Sequence, residues 1–477
     1  MIELAILLLI PLIVTFVAPF FNSRNATYLS FASFMIPFFG ILYYLMTGAS
    51  FEISITKVSA PIGEFYLLAD PIANAFGLTV CIVSAMVSIY SLPYMKHRFE
   101  EMEYEVESEF KKYIFLYNLY AVSMLWLVYC GNLILLYIFL ELSLLASFAL
   151  IYMYGYGNRQ WVALLYFVWT HIAGVLALIG FLIIAFENST LALKNIVAIS
   201  YTAWLLIFLG MLVKLPGLGP HIWLPWAHAE APTPVSALLS PLTVGLAGFI
   251  LLRIYLTDPW FIDLFRTPIL IYALISSIYA GFSVFKQKDY KKLLAYSTVS
   301  QMGYCLIAIC LGSYGAIALV IQYISHAFGK SILFMTAGAI IAIYHGLRDV
   351  EKMGGLHEYI PTISNAALLG FMTLGGILTI GMFGEFFMLK GIVDIYEFNN
   401  IWVIAAVVFV FILSGFYGFY TLKIIFYGTP KGFKTPKIDR MLDVPLYVIG
   451  LLSIAFIFPP LATGLLSALK LILGVLP

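Results

Sequence analysis

Charge is scarce in this sequence: Asp, Glu, Lys and Arg make up 10% of its 477 residues, against 63% hydrophobic ones. That ratio excludes an ordinary soluble domain, and such a chain folds in lipid. The charges that exist nearly cancel, leaving a formal +1. With no basic stripe there is no nucleic-acid or other polyanionic partner to expect. Cysteine is also rare. Cys81, Cys130, Cys305 and Cys310 are scattered, without CxxC or Cys/His ligand spacing. They read as small apolar core residues rather than a cluster, haem or zinc site, so no cofactor and no metal is expected. The opening MIELAILLLIPLIV lacks a positively charged leader and a small-residue cleavage site, so it reads as a first span.

What the sequence has is apolar runs. Crossing a hydrocarbon core of about 30 Å takes about 20 residues per helix. Fourteen runs meet this, near 2–21, 27–47, 71–93, 112–130, 132–155, 161–186, 200–229, 233–256, 267–286, 292–311, 315–345, 362–394, 401–426 and 445–470. The fold class expected is an all-α polytopic membrane protein. The exception is FEISITKVSAPIGEFYLLAD, between runs two and three, whose alternation around Pro61-Ile62-Gly63 predicts a small β-hairpin. Lys and Arg concentrate after odd-numbered runs: Lys96, Arg98, Lys111, Lys112, Lys286, Lys288, Lys291, Lys292, and Lys431 through Arg440. Loops on the other side carry Lys57, Lys194, Arg253, Arg266 and Lys470. The positive-inside rule then places the basic loops in the cytoplasm and both termini outside a cell membrane.

Run seven is interrupted. After Tyr201 to Val213 come Lys214, Pro216, Gly217, Gly219 and Pro220, and only then a second helical piece, Ile222 to His228. Each proline removes a backbone donor, and lipid cannot satisfy the freed carbonyls. A break at that depth must be buried in protein or line a wet cavity. A lysine beside such a break is the pattern of a transport site; the plain alternative is a kinked helix whose lysine snorkels to the surface. Run twelve, with Gly375, Gly376, Gly381 and Gly384, reads as a second broken helix.

Lys214 to Ser240 reads KxPxxxxHxWLPxAHxxAPTPVSALLS. This resembles the signature of the antiporter-like subunits shared by respiratory complex I, Mrp-type cation/proton antiporters and complex-I-related membrane hydrogenases. Spans 4–8 and 9–13 read as two repeats of five helices, each broken at its fourth member, and two helices interrupted at corresponding positions point to an inverted-repeat architecture. His171-Ile-Ala-Gly174 and His326-Ala-Phe-Gly329 share their spacing in spans six and eleven. The expected division is 1–111 (peripheral helices with the hairpin), 112–256 and 257–426 (the two half-channels) and 427–477 (helix 14).

Each intramembrane ionisable residue has a plain and a functional reading. Glu141, mid-span five, is either a buried carboxyl fixing helix packing or a proton-binding carboxylate governed by a lysine on another helix. By resemblance Lys214 is that lysine. His326 and Lys330, four apart, share one helix face and match the family's central relay, while Glu385 resembles its terminal exit acid. Lys390 reads as an interfacial, snorkelling lysine. His221, His228 and Glu230 flank the broken helix; they make no metal site and are expected to bond broken backbone, with a secondary relay role. His171 is open between packing and relay. The lysines of FKQKDYKKLLAYSTVSQMGY read as positive-inside anchors, and Gln301 there cannot titrate. One departure stands out: where relatives carry a span-eight Lys or His, this chain has Gly245. A water wire, looser coupling of the two halves, or lost translocation would each follow.

The function expected is an ion-translocating (H⁺, with Na⁺ open) membrane subunit of a redox-driven complex such as a membrane-bound hydrogenase or sulfur reductase. The alternatives are the principal subunit of a Mrp-type Na⁺/H⁺ antiporter and a non-conducting scaffold. Whether the chain is part of an enzyme is left open, since it carries no redox site. Expected partners are other membrane subunits, including small Mrp-like ones and a second antiporter-like subunit, and lipid.

Overall fold

The computed structural model describes residues 2–397 and 400–472. Met1, Phe398, Asn399 and 473–477, which fall within the expected segments 1–111, 257–426 and 427–477, lie outside the described residues. The helices are α1 (Ile2–Val17), α2 (Ser23–Thr47), α3 (Pro71–Glu101), α4 (Val106–Tyr129), α5 (Leu133–Tyr154) and α6 (Arg159–Asn188). They continue with α7 (Tyr201–Lys214), α8 (Trp223–Glu230), α9 (Thr233–Leu238), α10 (Val244–Thr257), α11 (Trp260–Leu264), α12 (Arg266–Val284) and α13 (Tyr290–Ile309). The last are α14 (Gly312–Ile343), α15 (Pro361–Leu374), α16 (Gly381–Tyr396), α17 (Ile401–Ile425), α18 (Arg440–Ala455) and α19 (Leu461–Ile472).

Among the described residues nine continuous helices are long and apolar enough to cross a membrane. The remaining crossings are α4, which opens on Glu107, Glu109, Lys111 and Lys112, the Ser/Thr-rich α13, and three helix pairs: α7/α8, α15/α16 and α18/α19. Polar side chains start several of these helices by accepting from an otherwise free backbone N–H. Asn22 accepts from Asn25, Asp70 from Ala73, Asn132 from Ile134 and Asp289 from Lys292, at 2.8–3.0 Å.

Strands β1 (Phe51–Lys57) and β2 (Glu64–Ala69) form the antiparallel hairpin, with an irregularity between Ser54 and Thr56. It rests on the α4–α5 turn and the α6–α7 loop, through Gly131 N–H to Tyr66 O (3.0 Å) and Leu191 N–H to Ile62 O (3.1 Å). The loops that follow odd-numbered crossings are tied together at the other face. Arg98 donates to Tyr154 O, Tyr156 N–H to Glu230 O, and Arg348 pairs with Asp289 at 2.7 Å. Alternate connections therefore gather on two faces, as a chain crossing at every span requires. Five crossings per repeat is odd, so the second repeat starts from the face opposite to the first. The packing repeats in step: α4 on α5, α5 on α6 and α6 on α7 and α8, then α12 on α13, α13 on α14 and α14 on α15 and α16. Helices α3 and α14 form the buried centre and pack on each other.

Three features depart from the sequence reading. The last apolar run, expected as one span over 445–470, is two helices separated near Phe456–Pro460, where Pro459 and Pro460 cannot donate to a continuing ladder. Span eight contains a π-helical turn, Leu239–Thr243, between α9 and α10. Arg253, assigned to a loop by the charge pattern, is buried. Its two terminal nitrogens donate to the Asp70 carboxylate at 2.5 and 2.8 Å, clamping α10 to the start of α3.

Removing one member of such a pair strands a buried charge, at about 3–5 kcal/mol. Arg253→Met is expected to lose about that much stability. Adding Asp70→Asn, which keeps the helix cap, should recover most of it. Thermal unfolding of the purified protein in detergent checks both; equal midpoints for the single and double variants would contradict it.

Candidate functional site

Glu141 lies on α5 between two nitrogen donors from different helices. Lys214 Nζ, at the last residue of α7, donates to one carboxylate oxygen at 3.4 Å, and His171 Nδ1 on α6 donates to the other at 2.8 Å. The Lys214 and Glu141 side chains are 8% and 15% exposed, while His171 is 43% exposed on the outer face of α6. The break after α7 explains the position of Lys214. The helix stops there because Pro216 and Pro220 cannot supply its next donors. His221 satisfies part of the broken backbone: its Nδ1 accepts from Gly219 N–H at 3.2 Å. Gly174 makes room for the carboxylate, since a Cβ there would fall 2.1 Å from Glu141 Oε1.

Lys214 also lines a small cavity of about 20 Å³ with Ser143, Tyr166, Thr170, Trp223 and Thr243, room for a single water. Thr243 closes the π turn, and the same turn presents Ser240 on its other side. Ser240 O accepts from His326 Nε2 at 3.3 Å, and the Ser240 and Thr298 hydroxyls share a hydrogen bond of 2.7 Å. Because the carbonyl can only accept, Nε2 carries the proton; His326 Nδ1 is buried with no hydrogen-bond partner among the described residues. Gly245, in span eight, faces Tyr323: a Cβ would lie 2.4 Å from that ring, which itself stacks on Phe76 at 3.9 Å. The space a larger side chain would take is filled by tyrosine.

Lys330 does not bond His326, although they share a face of α14. Its ammonium donates to Leu294 O at 2.8 Å and to the Ser297 hydroxyl. Both acceptors belong to α13, which carries a polar stripe at helical spacing, Lys291, Leu294, Ser297, Thr298 and Gln301. Lys291 corrects the sequence reading: it is no loop anchor. It is fully buried and donates to Ala231 O, just past α8, at 2.5 Å. Its tether is one turn from His228, which is 0% exposed and has no partner on either ring nitrogen among the described residues. The expected backbone bonds are made by His221 and not by His228. Instead His228 stacks near Phe334 (4.8 Å) within electrostatic reach of Lys291, Lys330 and His326. The signal missed was position: Lys291 precedes a Ser/Thr/Gln face that faces protein, whereas Lys292 reaches outward over Trp226 at 4.2 Å.

Gln301, which cannot titrate, extends the stripe. It accepts from Gln322 at 2.6 Å and donates to the Ser414 and Tyr417 hydroxyls at 2.8 and 3.1 Å. Tyr417 and Tyr304 lie within electrostatic reach of Glu385. Glu385 follows the α15–α16 break, where Gly376 adopts φ +64° and gives way to the acid: a Cβ there would be 2.9 Å from Glu385 Oε2. Glu230 is accommodated likewise, its Oε2 2.7 Å from a Cβ at Gly157. Lys390 is exposed over the Tyr314 ring at 4.6 Å, the placement of an interfacial lysine. The structure thus brings Glu141, His171 and Lys214 into contact, groups His228, Lys291, His326 and Lys330 around α13, and sets Glu385 at the far end of the glutamine–tyrosine network. His221 serves the break, and Lys390 stands apart.

The family described as NADH:quinone oxidoreductase/Mrp antiporter, TM, matches residues 130–414. The chain belongs to this family. It is 31% identical over 402 residues to a putative antiporter subunit, mnhA2, of Staphylococcus saprophyticus, covering 77% of this chain and 49% of that one. To NADH-quinone oxidoreductase subunit M of Rickettsia prowazekii it is 26% identical over 420 residues, covering 82% of each. The chain spans about half the length of its antiporter relatives. Its fold is that of a chain of respiratory complex I from Thermus thermophilus with bound NADH (TM-score 0.85, 20% identity, 99% and 100% coverage). It also matches the Mrp complex from Dietzia sp. DQ12-45-1b (TM-score 0.83, 18% identity, 98% and 95% coverage). It is an antiporter-like, multi-pass membrane subunit of the complex I and Mrp type.

For this antiporter-like subunit, Gly174→Ala is expected to push the Glu141 carboxylate away from Lys214 and lower ion transport by the assembled complex severalfold or more, with normal subunit levels. Gly248→Ala, where a Cβ meets nothing nearer than 3.8 Å, should transport normally. Equal activity of the two variants would contradict the tight-fit argument.

Proposed function

We propose that this subunit moves protons laterally through the membrane plane, along Glu141, Lys214, His326, Lys330 and Glu385, within a redox-driven relative of complex I such as a membrane-bound hydrogenase or sulfur reductase. The observation that carries this reading is the Glu141–Lys214 contact beside a helix break, since an intramembrane carboxylate answering to a lysine on another helix is a charge-coupled pair. Protonation of Lys214 holds Glu141 ionised; loss of that proton lets the carboxyl accept one. His171 joins this pair as a third group, its side chain 43% exposed on α6. Buried lysines along the track favour H⁺ over Na⁺ as the species carried: an ammonium binds and releases a proton but repels a passing cation.

The half-channels are 112–256 and 257–426, flanked by 1–111 and 427–477. With the basic loops in the cytoplasm and the termini outside, uptake runs from the face where Lys291, Arg98 and Tyr156 gather. Lys291 and His228 serve there as added stations, with Glu230 beside them. The partners are further membrane subunits, small Mrp-like ones and a second antiporter-like subunit among them, and the driving force is charge movement in those neighbours. A Mrp-type antiporter is the second reading, favoured by the likeness to mnhA2 over three quarters of this chain.

Replacing Glu141 or Lys214 with Ala in the assembled complex, and measuring proton uptake in sealed vesicles, tests the proposal. The expected result is loss of coupled transport with assembly intact. Wild-type transport in both variants would make the subunit a scaffold. Transport driven by an artificial Na⁺ gradient, without electron transfer, would favour the antiporter reading.

A further inference from the structure

The lipid-facing surface carries apolar grooves that differ in the charge at their rims. One between α7 and α12 is lined by Tyr201, Leu205, Phe208, Phe265 and Tyr272, and no charged side chain borders it. A second lies where the end of α1, the start of α4 and the end of α5 meet. Phe16, Phe20, Phe115, Leu116 and Met153 form its walls, while Lys111 and Lys112 stand at its rim; its volume is about 520 Å³. That is within the usual size of a small-molecule site, about 300–1,000 Å³. Phe16 and Phe115 meet edge to face at 5.8 Å, and Phe20 is 84% exposed beside them. The acids near these lysines in sequence are turned elsewhere. Glu107 accepts from the Ser23 N–H and hydroxyl at 2.8 and 2.6 Å, and Glu109 accepts from the Tyr154 hydroxyl at 2.9 Å. Lys112 gives one bond to Glu109, at 2.8 Å, and has two further N–H donors. Lys111 is exposed and makes no ion pair among the described residues.

We propose that this groove holds one anionic phospholipid: a hydrocarbon chain lies along Phe16, Phe115, Leu116 and Met153, and the phosphate sits between the Lys111 and Lys112 ammonium groups. The two parts of the groove match the two parts of such a molecule. Lysine stems continue the apolar wall and carry their charge out to the headgroup level. There each ammonium is a compact donor for a phosphate oxygen. The lysines stand on the face read above as cytoplasmic, where a leaflet of anionic lipid has a negative surface potential and each nearby lysine adds to the attraction. The same charges argue against a helix from a neighbouring subunit as the occupant. An apolar helix seated there would press two ammonium groups against hydrocarbon without a counter-charge. A zwitterionic phospholipid also fits the walls, but its own ammonium competes for the phosphate. This lipid site is independent of which ion the subunit moves.

Native mass spectrometry of the purified complex, titrated with phosphatidylglycerol and with phosphatidylcholine of the same chains, tests the site. Lys111→Ala with Lys112→Ala is expected to weaken one phosphatidylglycerol-binding event roughly tenfold and to leave phosphatidylcholine binding as it was. Phe16→Ala keeps both lysines and removes an exposed wall, so it should weaken the same event severalfold. Lys57→Ala, on the hairpin, removes an exposed charge far from the groove and should change nothing. Wild-type phosphatidylglycerol binding in the double-lysine variant would overturn the site, and a neighbouring helix would then be its occupant. Equal loss of both lipids would overturn the preference for an anionic one. Inorganic phosphate that displaced the lipid at equal concentration, with Phe16→Ala unaffected, would reduce the groove to a bare anion site and overturn the role of the hydrocarbon chain.

Discussion

The structure depends on one constraint: inside lipid, no charge and no interrupted backbone can be left for water to satisfy. The chain meets it at Lys214, where both problems coincide. The helix ends at the lysine because two prolines follow, and the ammonium is received by Glu141 from a different helix. His221, seven residues on, accepts from the freed Gly219 N–H. Without a carboxylate on α5 the lysine would be stranded; without the break it would be an ordinary interfacial residue.

The same arrangement recurs in altered form across the chain. Lys330 ends on a carbonyl and a hydroxyl of α13, and Lys291 on the carbonyl that follows α8. Unlike Lys214 with Glu141 and Arg253 with Asp70, neither Lys330 nor Lys291 has a carboxylate partner among the described residues. A bidentate arginine–carboxylate pair is a fixed strut, whereas Lys330 and Lys291 are held by neutral oxygens alone. Helix α13 is the common wall: its one polar face meets α8, α14, the π turn and α17 in succession.

Much of this was legible in the sequence. The apolar runs, the hairpin and both broken helices follow from composition and from the prolines and glycines, and Glu141 and Lys214 declare themselves as charges where charge is expensive. What escaped was whatever depends on the partner of a side chain. Lys291 and Lys292 are adjacent and look alike, yet a rotation of 100° along the helix puts one inside and one out. Arg253 was counted among loop charges because its acid, Asp70, is far away in sequence. The π turn had no signal in the sequence beyond Pro241. Gly245 read as a gap, when the space belongs to Tyr323 from another helix.

The central claim is that these groups lie in series on one lateral track. Proton flux in sealed vesicles of the assembled complex, compared among Lys214→Ala, Glu385→Gln and the double variant, tests it most directly. A series track predicts that either single change removes most of the flux and that the double is no worse than the weaker single. If each single kept about half and only the double abolished transport, the two half-channels would be independent routes, and the account would be contradicted.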